Sequence, residues 1–229
     1  GIRGGERVLD IGCGWGALAL FLAEQHQCQV VAVAPAPAQT AFLRDRAEAQ
    51  GLAHLVEVRD ASVYDLEPDG EPFDAAAMVG VIEHMPDHTA ALRVPARLLR
   101  HGGTLYVSAS CYRSHAAYQE FVDRPGSRYV AQGIFGYAVL RPLSVLVQGM
   151  EDAGLSMTSL TDLTDHYRRT IEAWEKGVTT HHADVDHVRE GLADELLRYF
   201  RITNAGWGYT TKHFALSAVR SRAGRTLVA

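Results

Sequence analysis

The sequence predicts an α/β fold: a Rossmann-like, doubly wound, seven-stranded and mostly parallel sheet carrying a lid or helical insertion. Three observations carry this. A short apolar run at Val8–Ile11 turns through Gly12, Gly14 and Gly16 straight into a helical spacing. Buried-strand patterns then alternate with helical ones as far as Ser110, as repeated βαβ units do. Beyond Cys111 the alternation stops, and aromatic and glycine residues take over. At 229 residues the chain can bury a sizeable core as one domain. Its ligand-binding half is expected over 1–110, the insertion over about 111–140 and further helices over about 161–205.

Val8, Leu9 and Ile11, with Asp10 among them, form the first strand, and Ala17 to Glu24 the first helix. Gln29–Val33 is a second buried strand, and it runs into Ala34-Pro35-Ala36-Pro37. A dinucleotide-binding domain carries an acid there for the ribose hydroxyls; here Gln39 is the nearest polar substitute. Ala38 to Gln50 is helical and Gly51 stops it. Leu55–Val58 is the third strand, followed by Arg59-Asp60-Ala61. Asp60 either accepts from an adenine amino group, with the Ala61 N–H donating to the ring, or caps a helix. Phe73–Val81 is the fourth strand, with Val79 towards its carboxyl end and Glu83-His84 at its edge. A helix over Asp87–Arg100 ends at Gly102-Gly103, and Thr104–Ser110 is the fifth strand. Ligands of open parallel sheets bind beyond the carboxyl ends of the strands, where the strand order reverses. The first and fourth strands flank that point, so Glu83 and His84 lie beside the glycine loop.

Residues 112–140 hold Tyr112, Tyr118, Phe121, Tyr129, Phe135 and Tyr137, with glycines at 126, 133 and 136 and no sustained period. This composition predicts a lid or substrate wall over the strand ends. Leu143–Ala153 is helical and Gly154 stops it; Leu155–Leu160 suits a sixth strand. Thr164–Lys176 and Val185–Ile202 read as two helices, the second with Val188, Leu192, Leu196 and Leu197 at helical spacing. His213–Val219 is the last strand, before a basic tail. His181, His182 and His187 are not expected to bind a metal, because adjacent histidines seldom point the same way and no acid cluster accompanies them.

A net charge of −5 leaves no electrostatic footprint for nucleic acid. No apolar run is long enough to span a bilayer, and no signal peptide is visible. The chain opens Gly1-Ile-Arg without a Met, which suggests that further residues precede it. Cys13, Cys28 and Cys111 are an odd number without metal-type spacing and suit a reducing cytoplasm. The expected partner is a small-molecule or lipid-like substrate, and the composition allows a homodimer.

Two ligand readings compete at the glycine loop. Gly12-x-Gly14-x-x-Ala17 is a dinucleotide fingerprint, with a pyrophosphate at the helix N-terminus. Asp10-x-Gly12-x-Gly14-x-Gly16 resembles motif I of the S-adenosylmethionine-dependent methyltransferases, whose loop cradles the methionine end of the cofactor while the acid meets its ammonium. The acid favours the second reading, since a pyrophosphate has no use for a carboxylate. Taken with the rest, the chain resembles the cyclopropane-fatty-acid synthase branch of the class I methyltransferases. Val8 to Leu20, including Trp15, is similar to that branch's own motif; Gln39 matches its glutamine, although Ala34-Pro35-Ala36 departs from its Thr-Leu-Ser. Glu83-His84 matches its Glu-His, and Asp165-His-Tyr-Arg-Arg-Thr-Ile-Glu-Ala-Trp174 its His-Tyr-x-x-Thr-Leu-x-x-Trp.

On this resemblance S-adenosylmethionine is held by Asp10, Gly12, Cys13, Gly14, Trp15, Gly16, Ala34, Gln39, Asp60, Ala61 and Val79. The lipid-cyclopropanating members use a bound bicarbonate, held by an upstream cysteine, a glutamate, a strand-five histidine and a tyrosine. Glu83 and Tyr167 match two of these ligands, and Ser108 stands where the histidine is. The implied reaction is methyl transfer to nitrogen, carbon or oxygen of a small, fairly apolar metabolite. Glu83 or His84 is expected to take the released proton and Tyr167 to orient the substrate or the base. Methylation or cyclopropanation of an unsaturated acyl chain is the neighbouring reading. A cyclase or non-catalytic binder of the same cofactor, and a nicotinamide oxidoreductase, are the readings from other classes.

Overall fold

A computed structural model describes residues 1–68, 70–132 and 137–221. Its strands are β1 (Arg7–Ile11), β2 (Gln29–Ala34), β3 (Val56–Asp60), β4 (Phe73–Val79), β5 (Leu99–Tyr112), β6 (Leu155–Asp162) and β7 (Thr211–Arg220). They form one sheet in the order β3-β2-β1-β4-β5-β7-β6. Pairings among β1 to β5 are parallel, and β7 runs antiparallel to both β5 and β6. The order reverses between β1 and β4, which brings the loop after Ile11 and the turn after Val79 to the same edge of the sheet.

The central strands are continuous apolar runs rather than alternating ones because helices cover both faces of this half. On one face α1 (Ala17–His26) and α2 (Pro37–Ala49) pack Leu22 and Leu43 against Val8 and Val30. On the other, α3 (His88–Leu98) and α6 (Leu143–Asp152) pack Leu92 and Leu146 with Leu9, Ile11, Met78 and Leu105. Truncating one of these leucines to Ala costs about 2–5 kcal/mol, since the rigid sheet closes poorly over the cavity. The site described below therefore stands on a stiff base.

The expected elements are found, with five differences. β4 ends at Val79 rather than Val81, because Gly80 takes a left-handed φ of 60° and turns the chain into a short 3-10 turn, Ile82–His84. The helix expected to Arg100 ends at Leu98, and β5 begins at once as Leu99 pairs with Phe73. Val185–Ile202 is not one helix but two, α8 (His182–Val188) and α9 (Leu192–Gly206), broken where Gly191 adopts a φ of 76°. Asp186 then accepts from the Ala193 N–H and fixes the break. The insertion carries regular structure, α4 (His115–Phe121) and α5 (Pro125–Gln132), with Ser114 capping α4 through the Ala117 N–H at 3.1 Å. Gly133, Phe135 and Gly136 lie outside the described residues, as does the tail beyond Ser221. α7 runs from Thr164 to Thr180, longer than its periodicity indicated.

The histidines of this region do have acids beside them, contrary to the sequence reading. His181 faces Asp184 at 3.2 Å, and His182 lies 3.2 Å from Asp194 and 3.6 Å from Asp186. These are exposed pairs of the kind worth ~0–1 kcal/mol. Among the described residues no group of three or more His, Cys, Asp or Glu is arranged to hold a metal. No described helix is long and apolar enough to cross a membrane.

Candidate active site

The loop between β1 and α1 is shaped by three glycines with different constraints. All three have positive φ, at 73° for Gly12, 53° for Gly14 and 84° for Gly16. A Cβ on Gly12 would strike the Val81 side chain and one on Gly16 the Leu43 side chain, so these two are required by packing as well. A Cβ on Gly14 would meet nothing within 4 Å; this glycine faces open space. The N–H groups of Gly12 and Cys13 both donate to the Val33 carbonyl, at 2.8 and 3.2 Å, and that of Gly16 donates to the Cys13 carbonyl. The Gly12 and Cys13 N–H groups thus clamp the loop to the end of β2. Cys13 is buried and its thiol is pushed up to about 12 by burial, with the Asp10 charge adding to the effect. Trp15 is exposed and packs edge-on against Phe42, ring centroids 5.2 Å apart.

Asp10 lies beneath this loop, only 2 % exposed. Burial raises its carboxyl to about 7, countered in part by a hydrogen bond from the Ala19 N–H. It thus takes up one of the donors that the first turn of α1, capped by Gly16 without a side-chain bond, leaves unsatisfied. Its Oδ2 is buried and has no partner. An unpartnered carboxyl oxygen beside a glycine facing open space suits a ligand carrying an ammonium. A pyrophosphate is poorly served, because the Gly12 and Cys13 donors are already used.

The next predicted contacts form the far side of the same sheet edge. Ala34 is buried at the end of β2, and its carbonyl accepts from the Ala61 N–H at 3.3 Å, so that N–H is not the uncommitted donor expected. Gln39 sits in the first turn of α2, half-buried. Asp60 is exposed and accepts from the Thr40 hydroxyl and from Arg44, at 2.9 Å for the latter. Those two donors hold its carboxyl below the usual range. Asp60 is not a cap, since Ser62 caps the turn that follows. Thr40 and Arg44, missed in the sequence, are what fix Asp60. Val79 is half-exposed at the end of β4.

Across the switch point Glu83 is 7 % exposed. Its Oε1 accepts from the Ser110 N–H at 2.6 Å, while its Oε2 is buried and unpartnered. Burial raises its carboxyl; the Ser110 donors and the nearby His84 pull the other way. Its own carbonyl accepts from the Val139 N–H at 2.6 Å, which ties the end of the insertion to this turn. His84 is exposed, and its Nδ1 lies 2.8 Å from the Tyr137 carbonyl. A carbonyl only accepts, so Nδ1 carries the hydrogen and Nε2 is the basic nitrogen. Tyr167, on α7, is close enough to Glu83 for that charge to help burial raise its phenol. Tyr199, on α9, is raised in the same way.

Tyr167 also stacks flat on a residue the sequence reading did not single out. His213, on β7, lies parallel to it with centroids 3.9 Å apart and 5° between the planes. Its Nε2 lies 2.7 Å from the Ser108 hydroxyl and its Nδ1 3.1 Å from that of Ser110. An imidazole therefore stands beside Ser108 after all, supplied by the neighbouring strand.

A doubly wound sheet, an acid under a three-glycine loop and a second buried acid across the switch point define a class: a Rossmann-like domain of the methyltransferase type. Within that class the chain belongs to the mycolic acid cyclopropane synthetase family, whose model it matches over residues 1–215. It is 28 % identical over 210 residues to a probable fatty acid methyltransferase of Pseudomonas putida, covering 91 % of this chain and 52 % of that one. It is also 28 % identical over 211 residues to the (S)-coclaurine N-methyltransferase of Papaver somniferum, covering 88 % and 58 %. It thus spans little more than half the length of either relative. The cyclopropane synthase MmaA2 from Mycobacterium tuberculosis has the same fold, with a TM-score of 0.86 at 19 % identity over 96 % of this chain and 79 % of that one.

Proposed function

We propose that this chain transfers the methyl group of S-adenosylmethionine to nitrogen, carbon or oxygen of a small, fairly apolar metabolite. The observation that carries the reading is the pair of buried acids, Asp10 and Glu83, each with one unpartnered oxygen, on either side of the switch point. The cofactor supplies an electrophilic methyl on a sulfonium. Asp10 would hold its ammonium, and Gly14 leaves room for its methionine end. Trp15, Gln39, Asp60 and Val79 would line the rest of its groove, with Gly12, Cys13, Gly16, Ala34 and Ala61 shaping the backbone beneath. Glu83 is the preferred base for the acceptor's proton: burial raises its proton affinity towards that of a general base. His84, through Nε2, is the second candidate, and Tyr167 orients the acceptor. The helices α4 and α5 close the site, and the acceptor half runs from there through α9.

The test is product analysis. Incubation with S-adenosylmethionine and a panel of amines, phenols and alkenes should yield S-adenosylhomocysteine and one methylated product. Cofactor binding without S-adenosylhomocysteine would favour a cyclase or a non-catalytic binder. A second reading, methylation or cyclopropanation of an unsaturated acyl chain, gains from the likeness to a probable fatty acid methyltransferase. Cyclopropane product from unsaturated phospholipid vesicles with bicarbonate would favour it; none from vesicles and one from the soluble panel would favour the first reading.

A further inference from the structure

His213 occupies a position where an apolar residue would be the simpler choice. It lies in the run His213-Phe-Ala-Leu-Ser-Ala-Val219 of a strand inside the sheet and is only 2 % exposed. Burying an imidazole there costs free energy unless both ring nitrogens find partners. Both do: the Ser108 and Ser110 hydroxyls meet its two edges, because Ser110 and His213 are register partners across the β5–β7 ladder. Tyr167 covers one face, and Trp207 approaches edge-on with centroids 6.3 Å apart. The His213 N–H donates to the Thr164 hydroxyl at 3.1 Å, and its carbonyl accepts from the Leu163 N–H at 2.8 Å. Both edges and one face of the ring are thus occupied.

We propose that His213 is a positioning residue for proton removal at Glu83: clamped between two serine hydroxyls, its imidazole aims Ser110 at the Glu83 carboxyl and fixes Tyr167 beside it. The inference rests on the reading of Glu83 as the proton acceptor. Burial lowers the ring to about 4, so at neutral pH it has one N–H and one lone pair. The ionised Glu83 carboxylate can only accept, and the Ser110 N–H, which donates to its Oε1 at 2.6 Å, brings the Ser110 hydroxyl beside it. With that hydrogen turned to Glu83, the Ser110 oxygen accepts from Nδ1–H, and Nε2 accepts from Ser108. A single tautomer results, set by the charge on Glu83 two hydrogen bonds away. Protonation of Glu83 removes the demand on the Ser110 hydrogen and with it the reason for that tautomer.

The experiment is NMR on the full chain saturated with S-adenosylhomocysteine, with isotope-labelled histidine ring nitrogens and glutamate carboxyl carbons, titrated from about pH 5 to 9. His84, Cys111, Tyr167 and Tyr199 also face Glu83, so its carboxyl signal is assigned with Glu83→Gln. The expected result is an Nδ1–H tautomer for His213 whose ring shifts follow the Glu83 midpoint. That coupling disappears in Ser110→Ala. His213→Ala moves the Glu83 midpoint by about half a pH unit or more, roughly threefold in proton affinity, and His213→Asn, which keeps a polar atom near the Nδ1 position, restores it. Ring shifts indifferent to Glu83 in the unmodified chain, or a Glu83 midpoint unmoved in His213→Ala, would overturn the proposal. Should the coupling hold while Glu83→Gln retains full turnover, the role of Glu83 falls and the coupling stands.

Discussion

Asp10 and Glu83 are held in matching ways at the two sides of the switch point. Each has one oxygen on a backbone N–H, from Ala19 and Ser110 respectively, and one buried oxygen without a partner. Burial raises the proton affinity of both. Their surroundings differ. The donor to Asp10 is a backbone N–H from its own stretch of chain, nine residues on at the start of α1. Glu83 is enclosed by side chains from β5, α7 and α9, with a histidine of β7 behind Ser110. A group that binds the constant part of a reaction can be fixed by local backbone, whereas a group that meets a variable acceptor is set among side chains that can change independently.

The comparison breaks first at Glu83. Glu83→Gln keeps the shape and the Ser110 N–H bond but cannot take a proton, so turnover should fall by ~10²–10⁴-fold. Affinity for S-adenosylmethionine should change by no more than about threefold, since the ligand contact lies at Asp10. Equal losses in both quantities would mean that the two acids do one job together. Asp10→Asn is the mirror experiment. Losing a charge-assisted bond, worth about 1.5–3 kcal/mol, should weaken cofactor binding by ~10–100-fold in a calorimetric titration.

A third prediction concerns folding. Asp10 goes from an ordinary value of 3.8 to about 7 in the folded chain, so between those values the folded state holds a proton that the unfolded state has lost. Stability must therefore fall as pH rises through that window and level off above about 7. Glu83, raised in the same direction, adds to the slope. Denaturant melts at about pH 5 and pH 7.5 should differ by a few kcal/mol in this sense, and Asp10→Asn should flatten the difference.

The glycines sharpen the contrast at a smaller scale. Gly12→Ala meets both a left-handed backbone and the Val81 side chain, and should lower stability by about 1–3 kcal/mol. Gly14→Ala meets only the backbone penalty, about 1 kcal/mol, and should weaken cofactor binding more than folding. Thermal melts with and without S-adenosylmethionine separate the two. His84→Ala should have the smallest effect, a loss of turnover of about tenfold or less, because its exposed ring keeps bulk water as an alternative acceptor.

The same contrast governs what the sequence could reveal. Residues 7 to 16 were legible because strand, turn and helix start follow one another and all three glycines take a positive φ; Val81 and Leu43, which also require Gly12 and Gly16, come from elsewhere in the chain and were not. Asp60 was found but not its setting, because Thr40 and Arg44 approach from a helix packed beside it. His213 escaped notice because its two partners lie 105 and 103 residues away. Its only local signal was a polar residue opening an apolar strand pattern, and the Ser-x-Ser of β5 gains meaning only with the antiparallel register. The break at Gly191 was hidden by apolar spacing that continued through Val188, a residue left 79 % exposed.

The measurement that tests the account most directly is calorimetric titration of the chain and its Asp10→Asn variant with S-adenosylmethionine, S-adenosylhomocysteine and NAD. It should be run near pH 6.5 in two buffers of different ionisation enthalpy. Both sulfur compounds should bind and NAD should not. Binding should release a proton as the ligand ammonium draws Asp10 into its charged form, and the variant should bind weakly with no such release. Binding of NAD alone, or unchanged affinity and proton release in Asp10→Asn, would contradict it.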